Sequence, residues 1–167
     1  MNFIVAVASD YAIGKDNRLL FSLPSDLKYF KEKTLNKIVV MGEKTYKSLP
    51  KRPLPNRINI VLSNDISFYD DNIIIVRDMG ELFNELKNYN NDDIFIIGGA
   101  SVYNQLMDYC KLAYITKVYK KVDADTFIDN VDNKTNWHVV SQSEMQTENN
   151  LDFQFIVYEN KDPKVFL

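Results

Sequence analysis

Asp26 opens a helical segment, Leu23-Pro24-Ser25-Asp26-Leu27-Lys28-Tyr29-Phe30, in the company of Phe21, Leu23, Leu27 and Phe30. A carboxylate in a first helical turn complements the helix dipole, which by itself accounts for many such aspartates. The same acid in an apolar pocket can do chemistry, because desolvation raises its proton affinity unless a ligand pairs with it. Local pattern leaves both readings open.

Two other constellations join a strand to a helix through glycine. Ile97-Gly98-Gly99-Ala100-Ser101-Val102-Tyr103 runs from an apolar strand into paired glycines. Glycine there admits close approach of a ligand to the backbone, and a helix start offers free N–H groups to an anion. Val39-Val40-Met41-Gly42-Glu43-Lys44-Thr45-Tyr46 repeats the arrangement, adding the Lys44 ammonium and the Thr45 hydroxyl. Each turn can equally be a tight structural connection. The chain has five glycines, and three of them fall in these two turns. Two such turns in one sheet suit a pyrophosphate lying across the strand ends. The spacing is not G-x-G-x-x-G, so a standard dinucleotide fold is not supported.

The scarce residue types narrow the chemistry further. His138 is the one histidine and sits beside Trp137 in a strand-like run, where it reads as a half-buried strand residue. With Cys110 as the one cysteine there is no His/Cys cluster for zinc, the single histidine reads as structural and not as the base of a Ser-His-Asp triad, and we expect no metal. A lone cysteine also excludes an internal disulfide and suits a reducing compartment. Any fixed anion clamp must draw on Arg18, Arg52, Arg57, Arg77 or the lysines. A net charge of -3 argues against a nucleic-acid partner. No apolar run approaches the ~20 residues of a membrane span, and Met1 to Ala8 lacks the basic leader of a signal peptide. The expected setting is cytoplasmic.

These side chains must be positioned by 167 residues, a length suited to one domain that buries roughly 70% of its unfolded surface. Short apolar runs predict strands at Phe3 to Ala8, Lys37 to Met41, Arg57 to Leu62, Asn72 to Val76 and Asp93 to Ile97. Three more follow at Leu112 to Val118, Trp137 to Ser141 and Phe153 to Glu159. Several are continuous, as in strands covered on both faces. Helical patterns lie between the earlier runs: the Asp26 segment with Ser25 as its N-cap, Glu43 to Leu49, the Leu82-Phe83-Leu86-Tyr89 stripe, and Val102-Tyr103-Leu106-Met107. The alternation predicts an α/β fold: a mostly parallel sheet of about eight strands, four flanking helices, and an antiparallel edge built by the C-terminal strands.

Seven stretches, in order and spacing over nearly the whole chain, resemble dihydrofolate reductase. They are Ile13-Gly14-Lys15-Asp16-Asn17, Leu23-Pro24-Ser25-Asp26-Leu27, Thr34-Leu35-Asn36-Lys37, and Val40-Met41-Gly42 with Thr45. The others are Arg52-Pro53-Leu54-Pro55-Asn56-Arg57, Ile97-Gly98-Gly99 with Tyr103, and Tyr114-Ile115-Thr116. The resemblance implies one domain over 1–167, with an adenosine-binding subdomain near 37–88. It also implies reduction of 7,8-dihydrofolate to 5,6,7,8-tetrahydrofolate, with hydride passing from NADPH to pterin C6 and a proton reaching N5.

By that resemblance Asp26 holds the pterin 2-amino group and N3, supported by Thr116 through ordered water, while water delivers the proton. The backbone carbonyls of Ile4 and Ile97 face the 4-amino group of 2,4-diaminopyrimidine antifolates. Ala6, Leu27 and Phe30 line the pterin slot with Tyr103 nearby, and Leu49 and Leu54 flank the benzoyl group. Arg57, otherwise a surface arginine opening a strand, becomes the clamp for the glutamate α-carboxylate. Ser9 through Leu23 corresponds to a mobile loop over the nicotinamide, carrying Leu19 and Phe21 to the reaction and Ile13, Gly14 and Asn17 to the cofactor. Ala6, Gly42, Lys44, Thr45, Leu62, Ser63 and Arg77 complete the cofactor set together with Gly98, Gly99, Ala100, Ser101, Val102 and Tyr103. Gly98-Gly99 matches a pair joined by a cis peptide in the family. A monomer is expected.

The chain departs from its relatives in places. Phe21 and Leu20 replace the usual tryptophan and proline, so an indole N–H is lost, and activity with altered loop closure is expected. Glu43 and Ser101 stand where relatives often have arginine. A carboxylate repels a 2′-phosphate, which carries about -1.5 to -2 charge. Lys44, Arg77 and Ser63 are the available replacements, so NADPH with a weakened preference over NADH is expected. Two alternatives are a riboflavin-pathway pyrimidine reductase of related fold and a non-catalytic nucleotide-binding module. The first has less reason to combine Asp26 with Arg57; the second needs no acid in the pterin slot.

Overall fold

Strand β4 (Ile38–Gly42) shows why continuous apolar runs mark the centre of this fold. Val39, Val40 and Met41 are all fully buried. Alternate side chains go to opposite faces: Val40 joins a cluster with Leu82, Leu86, Val102 and Leu106, whereas Val39 and Met41 join one with Tyr29, Phe30 and Tyr46. Helices therefore cover both faces. A computed structural model describes residues 1–166 of the chain.

The first half runs β1 (Asn2–Val7), β2 (Ala12–Lys15), β3 (Arg18–Leu19), α1 (Pro24–Thr34), β4, α2 (Glu43–Ser48), β5 (Ile58–Leu62), β6 (Ile74–Val76) and α3 (Met79–Leu86). The second runs β7 (Ile94–Gly98), α4 (Ala100–Leu106), β8 (Leu112–Val118), β9 (Thr126–Phe127), β10 (Trp137–Gln142), β11 (Gln146–Glu148) and β12 (Leu151–Asn160). The main sheet has the order β10-β12-β8-β1-β7-β4-β5-β6, with β11 paired to β12. From β8 to β6 neighbouring strands are parallel. The expected eight main strands and four helices are present.

Several expectations need correction. Leu112 to Val118 does not belong to the antiparallel edge: β8 pairs parallel with β1 from Asn2↔Leu112 to Val7↔Lys117, and the direction reverses only at β12. A continuous apolar strand looks the same to local pattern in either direction. Ser25 is not the N-cap of α1. Leu23 is, with Pro24 at the first helical position, where its missing N–H does no harm. His138 lies in β10 as expected but is exposed, because β10 is a sheet edge whose side chains after Trp137 face solvent.

Four short strands escaped the periodicity argument. β2, β3 and β9 form a separate three-stranded sheet, and β11 turns into β12 through Asn149 and Asn150. Both asparagines have positive φ, 53° and 60°, the conformation a two-residue hairpin turn requires. Strands of two to four residues are too short to display a period.

Candidate active site

Helix α1 and strand β8 meet at the carboxyl of Asp26. Asp26 stands in the first turn of α1, and Thr116 lies on β8 opposite Ala6 of β1. The Thr116 hydroxyl donates to Asp26 Oδ1 at 2.6 Å. This is a direct bond, where the resemblance implied one through water. Thr116 itself is buried. Burial raises the proton affinity of Asp26 above the usual carboxylate range, the Thr116 bond opposes that rise, and the negative charge of Glu148 adds to it.

Apolar side chains of α1 and the central strands also gather. Ile4, Phe30, Leu49, Leu54 and Ile97 come together in one cluster with Tyr29, Tyr46 and Tyr114. The carbonyl of Ile4 accepts a hydrogen bond from the buried Tyr103 hydroxyl at 2.7 Å, so one of its lone pairs is already engaged. Leu27 and Leu19 are largely exposed, 59% and 80%, as side chains lining an open site or its covering loop can be. Leu27 lies in the first half of α1, one turn before Phe30, and Leu19 ends a two-residue strand. Phe21 is half-buried and packs against the cluster of Leu23, Val118 and Phe153.

The Arg57 guanidinium is set by its own neighbourhood. Its Nε donates to the Pro55 carbonyl at 2.9 Å, and a terminal nitrogen donates to Thr34 Oγ1 at 3.1 Å. Among the described residues no carboxylate pairs with it. Partial burial shifts its pKa downward. A held, unneutralised guanidinium is suited to an incoming carboxylate.

The two glycine turns lie side by side because β4 and β7 are adjacent and parallel, with Met41 opposite Gly98. A Cβ on Gly98 would sit 3.3 Å from the Tyr103 ring and 3.6 Å from Thr45 Oγ1; on Gly99 it would sit 3.4 Å from Thr45 Oγ1. Gly98 also has φ +126°, which side-chain-bearing residues rarely adopt. The Gly98–Gly99 peptide is cis, as the resemblance implies. Gly42 and Gly99 take the N-cap positions of α2 and α4 without a side-chain acceptor, leaving backbone N–H groups for another partner. Ala100, Ser101 and Val102 begin α4, and Lys44 is exposed beside Thr45. A close-approach backbone, free donors and an adjacent hydroxyl fit the pyrophosphate of a nicotinamide dinucleotide.

The region expected to meet the adenosine is less open to cations than the sequence suggested. Leu62 is paired between Gly42 and Val76. Next to it, the buried Ser63 donates from Oγ to Glu43 Oε1 at 3.1 Å. Lys47 approaches the same carboxylate at 3.6 Å. The Arg77 guanidinium donates to the carbonyls of Ser63, Asp65 and Phe68, so it braces the loop after β5. At the opposite end, Ile13, Gly14 and Asn17 belong to the segment holding β2 and β3. Its Asp16 amide donates to Asp125 at 3.0 Å, and the Gly14 carbonyl accepts from the Asp125 amide at 3.1 Å.

A largely buried carboxyl held by Thr116, with two glycine turns at the ends of adjacent parallel strands, is compatible with a nicotinamide-dependent reductase. The chain belongs to the dihydrofolate reductase family: the family model described as Dihydrofolate reductase matches residues 1–160. It is 34% identical over 164 residues to dihydrofolate reductase of Bacillus subtilis (strain 168), spanning 97% of this chain and 95% of that protein. Against dihydrofolate reductase of Drosophila melanogaster it is 35% identical over 176 residues, spanning 95% and 96%. A solved structure of dihydrofolate reductase from Enterococcus faecalis, complexed with NADP(H) and RAB-propyl, superposes with a TM-score of 0.86 at 27% identity, covering 96% of each chain. The activity is reduction of dihydrofolate to tetrahydrofolate with a nicotinamide cofactor. No helix among the described residues is long and apolar enough to cross a membrane.

Sequence reasoning missed one residue at this site. Glu148 reaches Ser25, the neighbour of Asp26, from 123 residues away. Nothing local to Glu148 signals that contact.

Proposed function

We propose that Asp26 binds the pterin through its 2-amino group and N3, and that Thr116 fixes the carboxyl for that task. The observation that carries this reading is the direct Thr116–Asp26 bond at an acid whose burial raises its proton affinity. Such a carboxyl polarises the pterin toward protonation at N5, with water as the proton donor. The cluster of Ile4, Phe30, Leu49, Leu54 and Ile97 excludes bulk water from the ring and the benzoyl group. Arg57 holds the α-carboxylate of the substrate's glutamate. NADPH, when bound, supplies the hydride that reaches pterin C6. Gly98, Gly99, Gly42 and Thr45 hold its pyrophosphate, and the 9–23 segment covers the nicotinamide.

NADPH is favoured over NADH by less than is usual in such reductases. Glu43 stands against Ser63 and adds negative charge where a 2′-phosphate would lie, while Arg77 is committed to loop carbonyls. Lys44 is then the main cation left for that phosphate. We take the chain as one monomeric, cytoplasmic domain over 1–167, with residues 37–88 holding the adenosine. Diaminopyrimidine antifolates would bind the same carboxyl. The test is dihydrofolate-dependent oxidation of NADPH and of NADH, with Asp26→Asn as control. Full activity of that variant at neutral pH rejects the role of Asp26, and equal kcat/KM with both cofactors rejects 2′-phosphate recognition.

A further inference from the structure

The helix that carries Asp26 lacks a cap of its own. Leu23 at its N-cap has no side-chain acceptor, so the amides of the first turn need one from elsewhere. Glu148 provides it: one carboxylate oxygen accepts from the Ser25 amide at 3.0 Å, the other from the Ser25 hydroxyl at 2.6 Å. Glu148 ends β11, and in the turn that follows it the Asn149 side chain donates to the Ser22 carbonyl at 3.0 Å. The hairpin tip thus grips the chain on both sides of Leu23 and Pro24.

The grip also fixes a charge. The two bonds from Ser25 hold the Glu148 carboxyl below its ordinary titration range, so it is ionised near neutral pH. Tyr29 on α1, with its phenol pushed up to about 12, and Tyr103 on α4, pushed higher still by burial, are both neutral near pH 7. Thr116 on β8 contributes a hydrogen bond and no charge. Among the described residues, Glu148 is the charged side chain that acts on Asp26. A fixed negative charge near a site stabilises positive charge that develops there, and protonation of pterin N5 develops such a charge.

We propose that Glu148 is a positioning residue for the reduction, anchoring the first turn of α1 through Ser25 and holding a fixed negative charge beside the pterin carboxyl that favours proton delivery to N5. The inference rests on Asp26 as the residue that binds the pterin. The experiment measures the single-turnover hydride rate with NADPH and dihydrofolate from about pH 5 to 9, with thermal midpoints, for the parent, Glu148→Gln and Glu148→Ala. Glutamine keeps an acceptor and removes the charge. It should lower the rate on the alkaline limb by roughly two- to threefold, the range of a partly screened charge interaction, with the acid limb and thermal midpoint near the parent's. Alanine should show the same alkaline loss and also a lower thermal midpoint. Raising ionic strength from about 0.1 to 1 M, where the screening length falls from roughly 10 to 3 Å, should shrink the difference between Glu148→Gln and the parent. A Glu148→Gln profile that superimposes on the parent's overturns the proposal, whatever alanine does. Full activity of Asp26→Asn would instead reject the reading of Asp26 beneath it.

Discussion

Replacing Asp26 by asparagine separates what this side chain does for the reaction from what it does to the fold. The carboxyl is largely buried, accepts one hydrogen bond from Thr116, and has no Lys or Arg within ion-pair distance among the described residues. Burial first, and the charge of Glu148 second, raise its folded-state pKa. A carboxyl raised in this way contributes its stability fully below the unfolded pKa and loses it as pH rises through the folded one. At pH 7 the ionised form is therefore held against the fold's preference. Asparagine removes the charge and keeps an oxygen for Thr116. The variant should gain about 1 to 2 kcal/mol at pH 7, in the range seen when a strained functional polar group is relieved. For a chain of this size that raises Tm by roughly 2–6 °C. The advantage should vanish in acid, where the parent carboxyl is neutral too. Turnover at neutral pH should fall by about 100- to 10,000-fold, the usual share of a positioned acid–base group. Calorimetry across pH and an absorbance assay of NADPH oxidation measure the two effects. Parental turnover, or a loss of stability at pH 7 that persists unchanged into acid, would refute the reasoning.

Other substitutions address the remaining parts of the site. Gly98→Ala puts a methyl group against Tyr103 at φ +126° and should destabilise by about 1–3 kcal/mol while weakening NADPH binding, read by thermal melts and cofactor titration. Arg57→Leu removes an unneutralised guanidinium and should raise the KM for dihydrofolate by about 10- to 100-fold with kcat near the parent's; an equal fall in kcat would argue against a simple clamp. Glu43→Gln takes a carboxylate away from Ser63 and should raise kcat/KM for NADPH relative to NADH by roughly five- to tenfold, measured with both cofactors.

The sequence by itself determined the order of the main elements and the residues worth testing. Continuous apolar runs such as Val39 to Met41 encode burial on both faces, and the Leu82-Phe83-Leu86 stripe encodes a helix, because backbone geometry ties each period to a face. The glycine pair and Asp26 were legible for the same reason: their types and neighbours are local. Tertiary structure decided what local pattern cannot carry. It set the direction of β8, the exposure of Leu19, Leu27 and His138, and the commitment of Arg77 to loop carbonyls. It brought Thr116 to Asp26 across 90 residues and Glu148 to Ser25 across 123. Contacts of that separation depend on which strands lie side by side, and strand order is fixed by the packing of the whole sheet.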